Sequence, residues 1–126
     1  CPIQPLTSQS LFDPLIHIIG DAAQFAPLPK SAFAANSEAK ACALAVVALL
    51  HDQTPASPTW LNTCYSLVTP EQGISIAGVY RLDDDQRISA VPGAGGVSPS
   101  LADEALRLEA GHAQSAYRHL LANSFR

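Results

Sequence analysis

The chain has 126 residues, 48% of them hydrophobic and 14% charged, with a net charge of −4. A charged share this far below the usual ~25%, with so much apolar content, excludes intrinsic disorder. It points to surface that normally faces protein. Seven scattered lysines and arginines against eleven acids leave no basic footprint for nucleic acid. The longest apolar run, Ala41 to Leu50, is half of what a bilayer requires, so no transmembrane segment is expected. There is no methionine and residue 1 is Cys1, so a segment upstream of Cys1 is expected to have been removed. Cys1, Cys42 and Cys64 cannot all pair with one another; one thiol is free, or its partner lies outside this chain.

In chain order, residues 15–21 (LIHIIGD) read as a short buried strand stopped by Gly20-Asp21. Residues 22–30 form a loop, with Pro27 and Pro29 blocking regular structure. Ser31 is the expected N-cap of a helix, with Asn36 or Ser37 as alternatives a turn later. From Ala41 to Leu50 that helix is apolar on nearly every face, the pattern of a helix covered on all sides in a larger body. His51 and Asp52 end it. Thr54 to Thr59 (TPASPT) is a linker and the predicted domain boundary.

Trp60 to Val68 is β-prone and is followed by the turn Thr69-Pro70. Ile74–Leu82 and Arg87–Val91 flank an acidic hairpin tip, Asp83-Asp84-Asp85. Pro92 to Gly96 reads as a flexible turn. Ser98 as N-cap and Pro99 at the first position open a second helix, with Asp103 and Glu104 in its early turns. Its expected inward face is Leu101, Ala105, Leu108 and His112, joined by Leu120 and Leu121.

Two constellations carry chemistry. The strand–Gly–Asp–loop–helix unit over 15–50 sets Asp21 to accept a hydrogen bond from a sugar-like hydroxyl. The helix amino end offers free N–H groups and partial positive charge. The plainer alternative is an ordinary strand-to-helix connection. Cys64 is either a redox or nucleophilic thiol or a small buried hydrophobe. Cys42 reads as packing. The histidines (His17, His51, His112, His119) lack metal-ligand spacing, and Asp83–Asp85 lacks the glycine and distal glutamate of a calcium loop, so no metal site is predicted. No Gly-x-Gly-x-x-Gly, Walker loop or Gly-x-Ser-x-Gly is present, so no self-contained nucleotide site is visible.

The segments HIIGDAA (17–23), PLPKSAFAANSEAKACALAVVALL (27–50), LNTCYSLVTPEQGISIAGVYRL (61–82) and VPGAGGVSP (91–99) resemble the carboxyl-terminal part of the flavoprotein subunit of flavocytochrome c sulfide dehydrogenase. The resemblance runs nearly end to end. It implies an α+β fold: the last strand and helix of an FAD-binding α/β domain (1–53), then a carboxyl-terminal flavin-binding domain (54–126) made of a small antiparallel sheet or hairpin with a terminal helix. It implies FAD contacts at Gly20 and Asp21, toward the ribityl chain, and at Pro29, Lys30 and Ser31, beside the flavin pyrimidine. It implies that Cys64 is one member of a redox-active cysteine pair whose partner lies outside this chain. It further implies sulfide as substrate, a c-type cytochrome subunit carrying haem c, a periplasmic location, and inactivity of this piece without the amino-terminal remainder of the flavoprotein.

Ala32 and Ala34 depart from the family pattern, as does Ala116, where an aromatic residue is usual. Two rival readings remain at this level: a related flavin disulfide reductase acting on a quinone, and a docking or dimerisation module without catalysis. The uncovered 41–50 face leads to an expectation of self-association.

Overall fold

The computed structural model describes residues 1–98 and 102–125. Helix α1 spans Ala32–Leu50, strands β1, β2 and β3 span Thr59–Thr69, Gln72–Leu82 and Ile88–Val97, and helix α2 spans Asp103–Phe125. The strands form one antiparallel sheet in the order β1-β2-β3. This is an α+β fold, with two helices set against a three-stranded meander.

Ser31 starts α1 as predicted. Its backbone is extended (φ −150°, ψ 158°) and its Oγ accepts the Ala34 N–H at 3.0 Å, taking one of the donors a helix start leaves without a partner. The helix stops at His51, whose N–H bonds Ala48 O, and Asp52 then enters the left-handed region at φ +54°. α1 is long and apolar enough, by length and composition, to cross a bilayer. One side of it packs on protein: Ala34, Glu38 and Ala45 are buried, while Leu44, Val47 and Leu50 are 74%, 54% and 78% exposed.

β1 and β2 are joined at Pro70-Glu71 and pair in continuous register from Thr59↔Arg81 to Leu67↔Gly73, with Asn62 opposite Gly78 and Cys64 opposite Ile76. The acidic tip between β2 and β3 is built as expected. Asp83 Oδ1 accepts the N–H of Asp85 and of Arg87, and Gln86 takes φ +60°.

Pro92–Gly96 is not a free turn: β3 runs through it. The register passes from Tyr80↔Ala90 to Gly78↔Gly95, so residues 91–94 bulge opposite Val79. Pro92 falls within this bulge on an edge strand, where a missing N–H breaks no ladder bond. A Cβ at Gly95 would stand 2.4 Å from Ala77 O, so only glycine lets the strands close again after the bulge.

Residues 15–21 form no strand. His17 makes one isolated bridge to Gln9, and Gly20–Ala22 is a single 3-10 turn. The backbone remains extended, as at Ile19 (φ −134°, ψ 172°). A strand needs a neighbouring ladder, and the hydrogen bonds here go to a loop: Ile18 N–H to Ser8 O at 2.9 Å, and Ser10 N–H to Ile16 O at 2.8 Å. Leu15 is 89% exposed where burial was expected.

The face of α2 also differs. Ala110 is buried, with Leu106, Ala113, Ala116 and Leu120 half-buried, whereas Leu108, His112 and Leu121 are exposed. The cause lies on β2: a Cβ at Gly73 would meet the Ala110 backbone at 3.0 Å. So close an approach admits only alanine at the crossing, with Leu106 and the expected Ala105 and Leu120 half-buried around it. Ser98 lies ahead of the described start of α2 at Asp103. It bonds the end of β2, its N–H donating to Ser75 O and its Oγ accepting the Ser75 N–H. The positions predicted for Pro99 and Leu101 lie outside the described residues.

The core joins Ile3, Ala23, Phe25, Leu28 and Ala34 to Trp60, so it draws on both sides of the 54–59 linker. Phe25 meets Trp60 edge to face at 5.5 Å. Trp60 is fully buried and its Nε1 has no hydrogen-bond partner among the described residues.

Candidate functional site

Ser31, Lys30 and the Gly20-Asp21 turn come together at the amino end of α1. Lys30 Nζ donates to the Asp21 backbone oxygen. Gly20 sits at φ +66°, and its N–H donates to Glu38 Oε2 at 2.5 Å. This left-handed turn suits glycine, and it leaves Asp21 exposed. Gly20, Pro29, Lys30 and Glu38 line one cleft of about 370 Å³, floored by Ala23, Phe25 and Leu28.

Glu38 is buried, at 3% exposure. Burial raises its pKa above the ordinary carboxylate range. The Gly20 N–H and the Lys30 charge pull it back, and the Asp21 charge raises it further.

Cys64 reaches the same region from β1. Asn62 and Cys64 lie two residues apart on one face of the strand. Asn62, 2% exposed, accepts the Ser31 hydroxyl at 2.6 Å, and its Nδ2 stands 3.4 Å from Cys64 Sγ. A thiol from the sheet and a helix amino end from the other side of the linker are therefore joined through one buried amide. Cys1, Cys42 and Cys64 are each free of a disulfide. Burial pushes the Cys42 thiol up, and a hydrogen bond from Ser8 opposes it; both fit a packing role.

The next residue, Tyr65, lines a different cleft of about 370 Å³ between α1, β1 and α2, with Phe33, Lys40, His112, Ala116 and His119. Ala116 leaves room there that a ring would occupy.

Asn62 and Glu38 are site residues that the sequence reading missed. Each carried a signal: Asn62 is a polar residue between Trp60 and Cys64 on the inward period-2 face, and Glu38 is an acid in the Ala34–Ala45 stripe that faces the core.

The residues present fit an electron-rich ring and a hydroxylated chain. The α1 amino end, Lys30 and Ser31 offer positive potential and donors, and Asp21 offers an acceptor beside them. Fold and site together define a small α+β domain that sets a thiol beside an anion-favouring helix terminus. The family model for flavocytochrome c sulphide dehydrogenase, flavin-binding, matches residues 56–125, which take in all three strands and α2. The chain belongs to that family, whose full-length members are oxidoreductase flavoproteins.

Proposed function

We propose that this chain is the flavin-facing carboxyl-terminal part of an FAD-dependent sulfide dehydrogenase. The observation that carries the reading is the meeting of Cys64, within the family-matched segment, with the amino end of α1 through Asn62. Residues 1–53 serve as the end of the FAD domain, and 54–126 as the carboxyl-terminal domain. Asp21 accepts from the ribityl chain. Gly20 forms the turn that presents Asp21. Pro29, Lys30 and Ser31 set the helix amino end and its charge against the pyrimidine edge.

Cys64 pairs with a cysteine outside this chain. Hydrosulfide attacks that disulfide, one S–S bond forming as another breaks, to give a persulfide and a thiolate. When bound, the flavin supplies a two-electron acceptor that releases electrons singly. A c-type cytochrome subunit receives them, in the periplasm. The remainder of the flavoprotein covers Leu44, Val47 and Leu50.

Two measurements test this. Mixed with FAD and then dialysed free of it, the isolated 126-residue chain is left colourless, and a stoichiometric yellow protein would overturn its dependence on the remainder. In the full-length holoprotein, sulfide bleaches the flavin absorbance, and Cys64→Ser slows that bleaching at least a hundredfold (~2.7 kcal/mol in the barrier). Bleaching at the unaltered rate would remove Cys64 from the mechanism.

A further inference from the structure

We propose that Ser31 and Asn62 are positioning residues which hold the Cys64 sulfur as the last acceptor of a one-way hydrogen-bond chain starting at the amino end of α1. The proposal deepens the reading of Cys64 as a reactive thiol and rests on it. The chain starts at the Ala34 N–H, which donates to Ser31 Oγ at 3.0 Å. A hydroxyl has a single proton, and that of Ser31 goes to Asn62 Oδ1 at 2.6 Å. With Oδ1 fixed in this way, the planar amide turns Nδ2 toward Cys64 Sγ at 3.4 Å. Every member donates in the same sense, away from the helix and toward sulfur.

The opposite sense is disfavoured. A Cys64 S–H aimed at Asn62 Oδ1, 3.5 Å away, would find a second lone pair there, but it would cost the buried Asn62 Nδ2 the acceptor that the sulfur gives it. Asn62 is buried, so bulk water does not compete for its amide. The chain begins at the positive end of the 19-residue helix α1, and successive donors polarise one another. The sulfur at its end is held as an acceptor with its lone pairs ordered by the amide, and the thiolate of a sulfur so placed is the nucleophile. Gly78, opposite Asn62, has no side chain to compete for the amide.

The Lys40–Tyr65–His112–His119 cleft has nothing on it that specifies a ligand. The apolar face of α1 has nothing that identifies its cover beyond the reading above. The Glu38–Gly20 contact acts on the backbone and on no reacting atom. The Ser31–Asn62–Cys64 chain alone has a direction, and direction has a chemical consequence.

The test is the alkylation rate of Cys64 by iodoacetamide at fixed pH in the 126-residue chain. It is followed by mass spectrometry on the Cys64 peptide, with circular dichroism as the check on folding. Asn62→Asp keeps the size and the oxygen that Ser31 needs but cannot donate to sulfur; it slows alkylation about tenfold or more. Ser31→Ala frees the amide to turn its oxygen to the sulfur and also slows the reaction, although Ser31 does not touch Cys64. Ser31→Thr keeps the hydroxyl and restores the rate. A folded Asn62→Asp variant reacting at the unaltered rate overturns the proposal, and so does Ser31→Thr reacting as slowly as Ser31→Ala. The assay does not involve sulfide or flavin, so its failure is distinguishable from failure of the sulfide dehydrogenase reading, which the bleaching experiment decides.

Discussion

Residues 59–97 and residues 1–31 solve the same backbone problem in different ways. In the sheet, β1, β2 and β3 satisfy one another's N–H and C=O groups through two antiparallel ladders, the second interrupted by the bulge at 91–94. In the amino-terminal segment there is no ladder, and an extended backbone finds loop carbonyls such as Ser8 O and Gln4 O one at a time. Leu11, Phe12 and Leu15 are left between 66% and 89% exposed. A sheet carries its own partners, whereas a lone extended segment takes its shape from whatever it docks on. The candidate site is divided between the two, with Gly20, Asp21, Lys30 and Ser31 from the segment and its helix, and Asn62 and Cys64 from the sheet.

The largest break in this contrast is at Trp60, where the two regions share a core. Trp60→Ala removes the ring that Phe25, Leu28 and Ala34 pack around. It should cost about 3–5 kcal/mol, read by urea unfolding, with both regions melting together. A transition that leaves the segment docked would show that the contact is peripheral.

Gly95 tests the sheet by itself. Gly95→Val forces a side chain onto Ala77 O and should cost about 2 kcal/mol. Hydrogen exchange should then increase along β3 and β2 while the amides of Gly20 and Ala23 keep their protection. Equal loss in both regions would mean that the two are not separable.

The smallest effect is at Glu38, inside the segment's own support. Its carboxyl has a pKa raised by burial, so the folded chain keeps a proton that the unfolded chain gives up. Its favourable contribution is full below the ordinary carboxylate range and is lost as pH rises through the raised folded value. Glu38→Gln removes this titration and keeps an acceptor for Gly20. Thermal unfolding from pH 4 to pH 8 should show the variant gaining on the parent as pH rises. A constant difference across that range would contradict the assigned cause.

The sequence showed what local chemistry decides. Ser31 ahead of an alanine-rich run marks a helix start, and the β-prone runs Trp60–Val68 and Ile74–Leu82, bounded by Pro70 and by three aspartates, mark strands and a hairpin tip. It did not show what depends on distant partners. LIHIIGD has the composition of a strand but no ladder to join. PGAGG has the composition of a turn, but Gly95 is small enough to slip against Ala77 and Gly78 and continue a strand. The inward face of α2 is chosen by Gly73, thirty-seven positions before Ala110. The period-2 spacing of β1 marks Asn62 as an inward polar residue, but its partner Ser31 comes from the other side of the linker, so its role appears only in the folded chain.

Trp60 is the single tryptophan of the chain. It is wholly enclosed, edge-on to Phe25, and its indole N–H lacks a partner among the described residues. It therefore gives the molecule a built-in optical label at the joint between its two regions. Ultraviolet emission from this one fluorophore should be blue-shifted while the amino-terminal segment is seated, and should move to the red as soon as water enters that seam.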